Sequence, residues 1–197
     1  LRAGIGGYKG RALQARDIKT YLFDFDTPLP DPIYMLRNVT HIVISTPPTD
    51  NGDPTFIAHA HDIVGLPNLE WIGYLSTTGS YGDRDGGWVD EGSYPRPSTK
   101  RGRIDKPGHA FSRTHVEDIV QVLKTSMENP KAGEIYNVCD DMPAPSHEVI
   151  DYACQLLGIE SPPLMPFDMV DLAPITQSFY ADNKRIRNDK IKEDLGI

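Results

Sequence analysis

Three short apolar runs constrain this chain most: Ile18–Phe25 (IKTYLFDF), His41–Thr46 (HIVIST) and Leu69–Ser76 (LEWIGYLS), with helix-like spacing between them at Leu29–Asn38 and Thr55–Leu66. Strands that alternate with helices in this way predict a parallel sheet wrapped on both faces, a doubly wound α/β domain. The third run stops abruptly at Ser76-Thr77-Thr78-Gly79. In an open α/β sheet that is where a buried strand releases polar groups to a ligand, in the crevice at its carboxyl end.

Farther along, the sequence predicts a strand over His109–Val116, a helix over Glu117–Glu128, a strand over Gly133–Val138, and a helix with Ser146 as N-cap that closes at Gly158. A proline-rich connection, an irregular stretch to Asn183 and a charged helix over Asn188–Leu195 complete the chain. The doubly wound plan covers residues 1–130, and 131–197 follow as a small C-terminal region. Two places depart from this plan. From Thr77 to Lys106 there are about 30 residues of Gly/Pro/Ser/Asp-rich loop where a crossover helix is needed. The glycine-rich Gly4–Gly10 also has no apolar strand before it. Both predict missing segments, near residues 1–16 and at 103/104.

Composition excludes several function classes. With 20 basic against 28 acidic residues, a net charge of −8, the chain lacks the positive footprint of nucleic-acid binding. No apolar run approaches the roughly 20 residues that span a bilayer, so no membrane contact is expected. No basic segment with an apolar core and cleavage site follows Leu1, and the expected location is cytoplasmic. Cys139 and Cys154 lack metal-site spacing and are expected as reduced core thiols. His59 and His61, two apart on a helix, point to different faces and do not suggest a metal pair. Asp83-x-Asp85-Gly86 shares the start of a calcium loop but lacks its Glu at position 12.

Three ordered motifs carry a resemblance. They are Ser76-Thr77-x-x-x-Tyr81-Gly82 with Asp90-Glu91 and Pro95-x-Pro97; Phe111–Ile119 with its His115-Val116-x-Asp118 core; and Glu134–Val138 followed by Pro143 and Ser146. Together they resemble the extended short-chain dehydrogenase/reductases, the NAD(P)-dependent epimerase/dehydratase family, over residues 18 to 158. The wording YLSTTGSYGD, GGWVDE and SFYADNKRI is similar to an atypical sugar-nucleotide epimerase-like subgroup, in which the usual Tyr-x-x-x-Lys pair is not expected.

The resemblance implies that residues 1–130 are a Rossmann-like dinucleotide-binding domain and 131–197 a small C-terminal substrate-binding region, with NAD or NADP as cofactor and a nucleotide sugar or related hydroxyl/carbonyl compound as substrate, and it leaves a homodimer open. Family chemistry uses a Tyr phenolate to move a proton while hydride passes to or from the cofactor. Thr77, with Ser76 before it, falls on the family's hydroxyl position; the alternative is that both cap backbone groups at a strand end. Tyr81 is a candidate proton donor, with packing in the Tyr-Gly turn as its alternative. Dehydratase acids would stand at Thr78 and Gly79, which cannot titrate, and Arg101-Gly102-Arg103 stands where Tyr and Lys would follow. Thr78 and Arg101 are candidate substrate contacts, Arg101 with Arg103 through bidentate bonds to a phosphate, and Asn183, Lys184 and Arg185 of the tail are candidate contacts to an anionic substrate; the alternative for Arg101 and Arg103 is a pair of solvated loop charges, and for 183–185 a solvated charge run flanking a helix. For the cofactor, Gly4, Gly6 and Gly10 offer close backbone approach to a pyrophosphate, Asp24 matches the acidic residue near the adenine, and Ser45-Thr46 match the strand end beneath it. The implied activity is NAD(P)-dependent oxidation/reduction or epimerisation; a non-catalytic NAD(P)-binding sensor or scaffold with the same fold is the alternative.

Overall fold

The computed structural model describes residues 2–4, 13, 16, 18–23, 27–47, 49, 52–95, 108–164 and 180–197. The chain divides into two compact units, Leu1–Ser76 and Thr77–Ile197.

In the first unit, β1 (Arg2–Gly4) runs parallel to β2 (Thr20–Leu22), and β3 (His41–Ile44) runs parallel to β4 (Trp71–Tyr74) with Ile44 opposite Tyr74. Leu75 N–H donates to the Ile44 carbonyl at 2.8 Å, carrying the ladder one residue past β4. Two helices, α1 (Pro32–Leu36) and α2 (Pro54–Val64), both open on Asp-Pro. The reason is local. The Asp carboxylate accepts first-turn N–H groups, Tyr34 for Asp31 and both Thr55 and Phe56 for Asp53, while proline supplies a helical φ and no unsatisfied donor. The predicted strands at 41–46 and 69–76 and the helix at 55–66 therefore form, each a little shorter.

Phe23, Leu29, Leu36 and Leu66 make the core of this unit, with Ile42, Ala58 and Leu69 packed against them. At about 1.5–3 kcal/mol per buried large side chain, this contact set fastens β2, β3 and both helices together. A buried histidine joins it. His59 Nε2 accepts from Leu29 N–H at 3.0 Å and His59 Nδ1 lies 3.0 Å from Asp62 Oδ2, which requires the Nδ1-protonated tautomer. The glycine-rich segment begins on a short strand, Gly4 being the last residue of β1. β1 is not apolar, so nothing in its own pattern marks it, and pairing with β2 is what makes it a strand.

The second unit contains a 3₁₀ turn (Thr78–Tyr81), β5 (Trp88–Val89), α3 (Val116–Glu128), α4 (Ser146–Leu157), β6 (Arg185–Ile186) and α5 (Asp189–Leu195). β5 and β6 pair in parallel and bury Val89 and Ile186 beside Tyr81, with Cys139 against them. Their separation in sequence hid them. α3 carries a capping box, His115 Nδ1 accepting from Glu117 N–H and Asp118 returning to the His115 N–H. α4 closes at Gly158 in the left-handed conformation, φ +65°, as expected.

Three sequence expectations for this unit are corrected. The strand at 109–116 is only an isolated bridge, Phe111 to Ala144, because Ala110 N–H turns to Asn183 Oδ1 and the Arg113 carbonyl takes Asp140 N–H. The strand at 133–138 has no ladder, since Glu134 N–H returns to Lys131 and Asn137 N–H donates to Glu91 Oε1 at 2.7 Å. Ser146 is the first helical residue and not the cap. Pro145 is the N-cap, extended at ψ 148°, and its carbonyl accepts from Val149 N–H.

The described strands form three two-stranded parallel sheets, and the architecture is α/β. Among the described residues no helix is long and apolar enough to cross a membrane. The predicted loop from 77 to 106 holds the 3₁₀ turn and β5; residues 96–107, including the 103/104 junction, lie outside the described residues.

Candidate functional site

The carboxyl ends of β3 and β4 lie side by side in the first unit, and Ser45, Thr46 and Ser76 follow directly. Ser45 and Ser76 are exposed. Thr46 is partly covered, its Oγ1 accepting from the Thr55 hydroxyl at 3.0 Å in the first turn of α2. Asp53 fastens the same corner: one carboxylate oxygen caps α2, and the other accepts from the Tyr74 hydroxyl at 2.9 Å. That bond to a carboxylate, aided by burial, raises the Tyr74 pKa. The Tyr74 ring stands 5.9 Å from Phe56. Neither Asp53 nor its link to Tyr74 is among the sequence-derived candidates, although Asp-Pro before a helical run marks the cap.

This corner has a chemical consequence. A helix N-terminus attracts anions, yet the first turn of α2 already holds the Asp53 carboxylate. A phosphate has no place there. Any phosphate-bearing ligand at this edge must take its backbone donors elsewhere, and β1 ends at Gly4, where the glycine-rich segment begins. Gly6, Gly10, Asp24 and Arg101 lie outside the described residues.

In the second unit, Thr77 is the N-cap of the 3₁₀ turn, its Oγ1 accepting from Gly79 N–H at 3.1 Å, and Thr78 is the first residue of that turn. The Thr77 side chain remains exposed, and its hydroxyl hydrogen is not used by that bond. Tyr81 is 6% exposed, and its hydroxyl donates to Asn137 Oδ1 at 3.1 Å. Burial, reinforced by the Glu91 and Asp90 carboxylates, raises its pKa against the opposing bond to Asn137. A proton-transferring Tyr needs the opposite shift.

The tail residues are organised around a turn. Asn183 is buried; its N–H donates to Asp83 Oδ1, its carbonyl accepts from Arg84 and Gly86 N–H, and its Oδ1 accepts from Ala110 N–H. Gly86 sits at φ +81°, and a Cβ there would meet the Arg185 guanidinium at 2.9 Å. The Arg185 guanidinium in turn donates to the Gly86 carbonyl. Lys184 lies 3.6 Å from Asp182; burial lowers its pKa against the pull of that carboxylate. Asp83-x-Asp85-Gly86 is thus an Asx turn that seats Asn183, with Asp83 Oδ1 also accepting from Asp85 N–H.

The elements and this geometry define an α/β protein built on parallel strands. No protein-family model and no curated protein matches the chain. Among solved structures it is similar to "a functionally unknown conserved protein from Silicibacter pomeroyi DSS", with 38% sequence identity and a TM-score of 0.86 over 99% of this chain and 83% of that one. The chain belongs to the family of that protein.

Proposed function

We propose that this chain binds NAD or NADP along the carboxyl edge of a Rossmann-like, doubly wound sheet, and that it acts as an NAD(P)-dependent oxidoreductase or epimerase on a nucleotide sugar or related hydroxyl/carbonyl compound. The observation that carries this reading is the strand end itself: β3 and β4 finish together at Ile44 and Tyr74, and hydroxyl residues follow each. Ligands of open α/β proteins bind at that edge. With Asp53 on the first turn of α2, the pyrophosphate would lie against the backbone of Gly4, Gly6 and Gly10, and Asp24 and Ser45-Thr46 would serve the adenosine and the underside of the cofactor, as the resemblance implies. Bound there, the cofactor would supply hydride chemistry. Thr77 would donate its free hydroxyl hydrogen to a substrate oxygen, and Thr78, Arg101 and Lys184 would hold the substrate.

A second reading, an NAD(P)-binding sensor or scaffold without turnover, has its own support in Tyr81. Its hydroxyl is buried and bonded to Asn137, so proton transfer lacks its usual agent. Calorimetry with NAD+ and NADP+ tests binding, and reduced-cofactor formation across a panel of nucleotide sugars separates the two readings. Turnover that falls in Thr77→Val supports the first. Binding without turnover supports the second, and no heat with either dinucleotide overturns both.

A further inference from the structure

A cleft of about 310 Å³ in the second unit, at the lower end of the volumes that hold small ligands, has no part in the function proposed above. Its apolar surface is Ile186 and the indole of Trp88, which is 52% exposed. Carboxylates surround this surface: Asp140, Asp141 and Asp189. Asn188 also lines it and is 7% exposed. Its amide nitrogen donates to the Cys139 carbonyl and to Asp141 Oδ1, both at 2.8 Å. That fixes the amide orientation and leaves Oδ1 as an acceptor with no partner among the described residues.

The cations of the cleft are already engaged. Lys192 Nζ bonds to Asp141, Arg187 Nη1 lies 3.2 Å from Asp189, and Arg113, outside the cleft, lies 3.5 Å from Asp140. Asp140 is used on both oxygens, its Oδ1 accepting from Met142 N–H, so what the cleft still offers is acceptors on Asp141 Oδ2, Asp189 Oδ1 and Asn188 Oδ1. The Arg187 guanidinium stands 5.6 Å from the Trp88 ring centroid, so the indole face already receives a cation. The Arg187–Asp189 pair is exposed, and such pairs contribute little. Displacing Arg187 from the ring is therefore cheap. The chain's net charge of −8 draws cations toward the protein.

We propose that this cleft binds a small organic cation, a molecule bearing an ammonium or guanidinium group, which lies on Trp88 in the place of Arg187 and donates to Asn188 and the neighbouring carboxylates. Agmatine is the probe, with inorganic phosphate and glycerol as anionic and neutral comparisons, followed through the Trp88 indole N–H by NMR titration of the whole chain. The expected result is a saturable shift with agmatine alone. Arg187→Ala, which vacates the ring face, should tighten agmatine binding about threefold or more, and Trp88→Leu should weaken it in calorimetry by about three- to tenfold. Saturation by phosphate, equal binding of glycerol, no saturation with agmatine, or weaker agmatine binding in Arg187→Ala would each overturn the proposal. The Arg187 variant keeps the test open should Trp88→Leu fail to fold.

Discussion

The Tyr81 hydroxyl donates to Asn137 Oδ1 across 56 residues of sequence, beneath the surface of the second unit. Asn137 is itself buried, its N–H bonded to Glu91. Tyr81 thereby connects the turn after β4 to the segment before Cys139. Tyr81→Phe should cost about 1–3 kcal/mol, the penalty of leaving a buried acceptor unpaired. Denaturant unfolding measures this. Dinucleotide affinity should be unchanged, and a variant as stable as the parent would show that the bond contributes nothing.

Asn183, a candidate substrate contact by sequence, organises a turn. Its Oδ1 holds Ala110 N–H at 3.1 Å. Asn183→Ala should therefore lower stability by about 1–3 kcal/mol, whereas a substrate-contact role would raise KM with stability intact. Measuring both quantities on one preparation distinguishes the roles.

His59 makes the matching prediction for the first unit. Replacing it with Phe preserves the ring beside Phe23, 5.4 Å away, but removes the acceptor for Leu29 N–H. The expected loss is about 1–3 kcal/mol, with faster hydrogen exchange at the Leu29 amide. Unaltered exchange at that amide would contradict the tautomer and the bond assigned here.

Cys139 sets a pH dependence. Burial, followed by the Asp140, Asp141 and Glu91 carboxylates, raises its thiol from 9.0 to about 11. A pKa raised by folding gives stability that is complete below pH 9 and lost as pH rises through about 11. Since the thiolate is the reactive form, Cys139 in a Cys154→Ala background should alkylate far more slowly in the native than in the unfolded chain at pH 9. Equal rates would mean that the thiol is not held protonated.

Much of the first unit was legible because its signals are local. HIVIST and LEWIGYLS are bounded apolar runs, and Thr55–Leu66 carries helical spacing. Gly158 was legible for the same reason, since a helix end needs a left-handed residue at a definite place. Two of the short strands could not be read. Arg2–Gly4 and Arg185–Ile186 have no strand pattern and exist through their partners, Thr20–Leu22 and Trp88–Val89. The opposite error arose at Gly133–Val138, where a strand-like pattern meets no neighbouring ladder. The site divides in the same way. Hydroxyls at the ends of β3 and β4 follow from the sequence, but Asp53 with Tyr74, Tyr81 with Asn137, and Asp83 with Asn183 are long-range pairs that only the fold brings together.

Isothermal titration of the chain with NAD+ and NADP+ reads out the proposed dinucleotide site at the carboxyl edge of β3 and β4. The expected result is saturable, one-to-one binding of at least one of them, weakened when Ser45 is replaced by a bulky residue such as Trp. Absence of heat with both, from a preparation whose native fold is verified by circular dichroism, would contradict it.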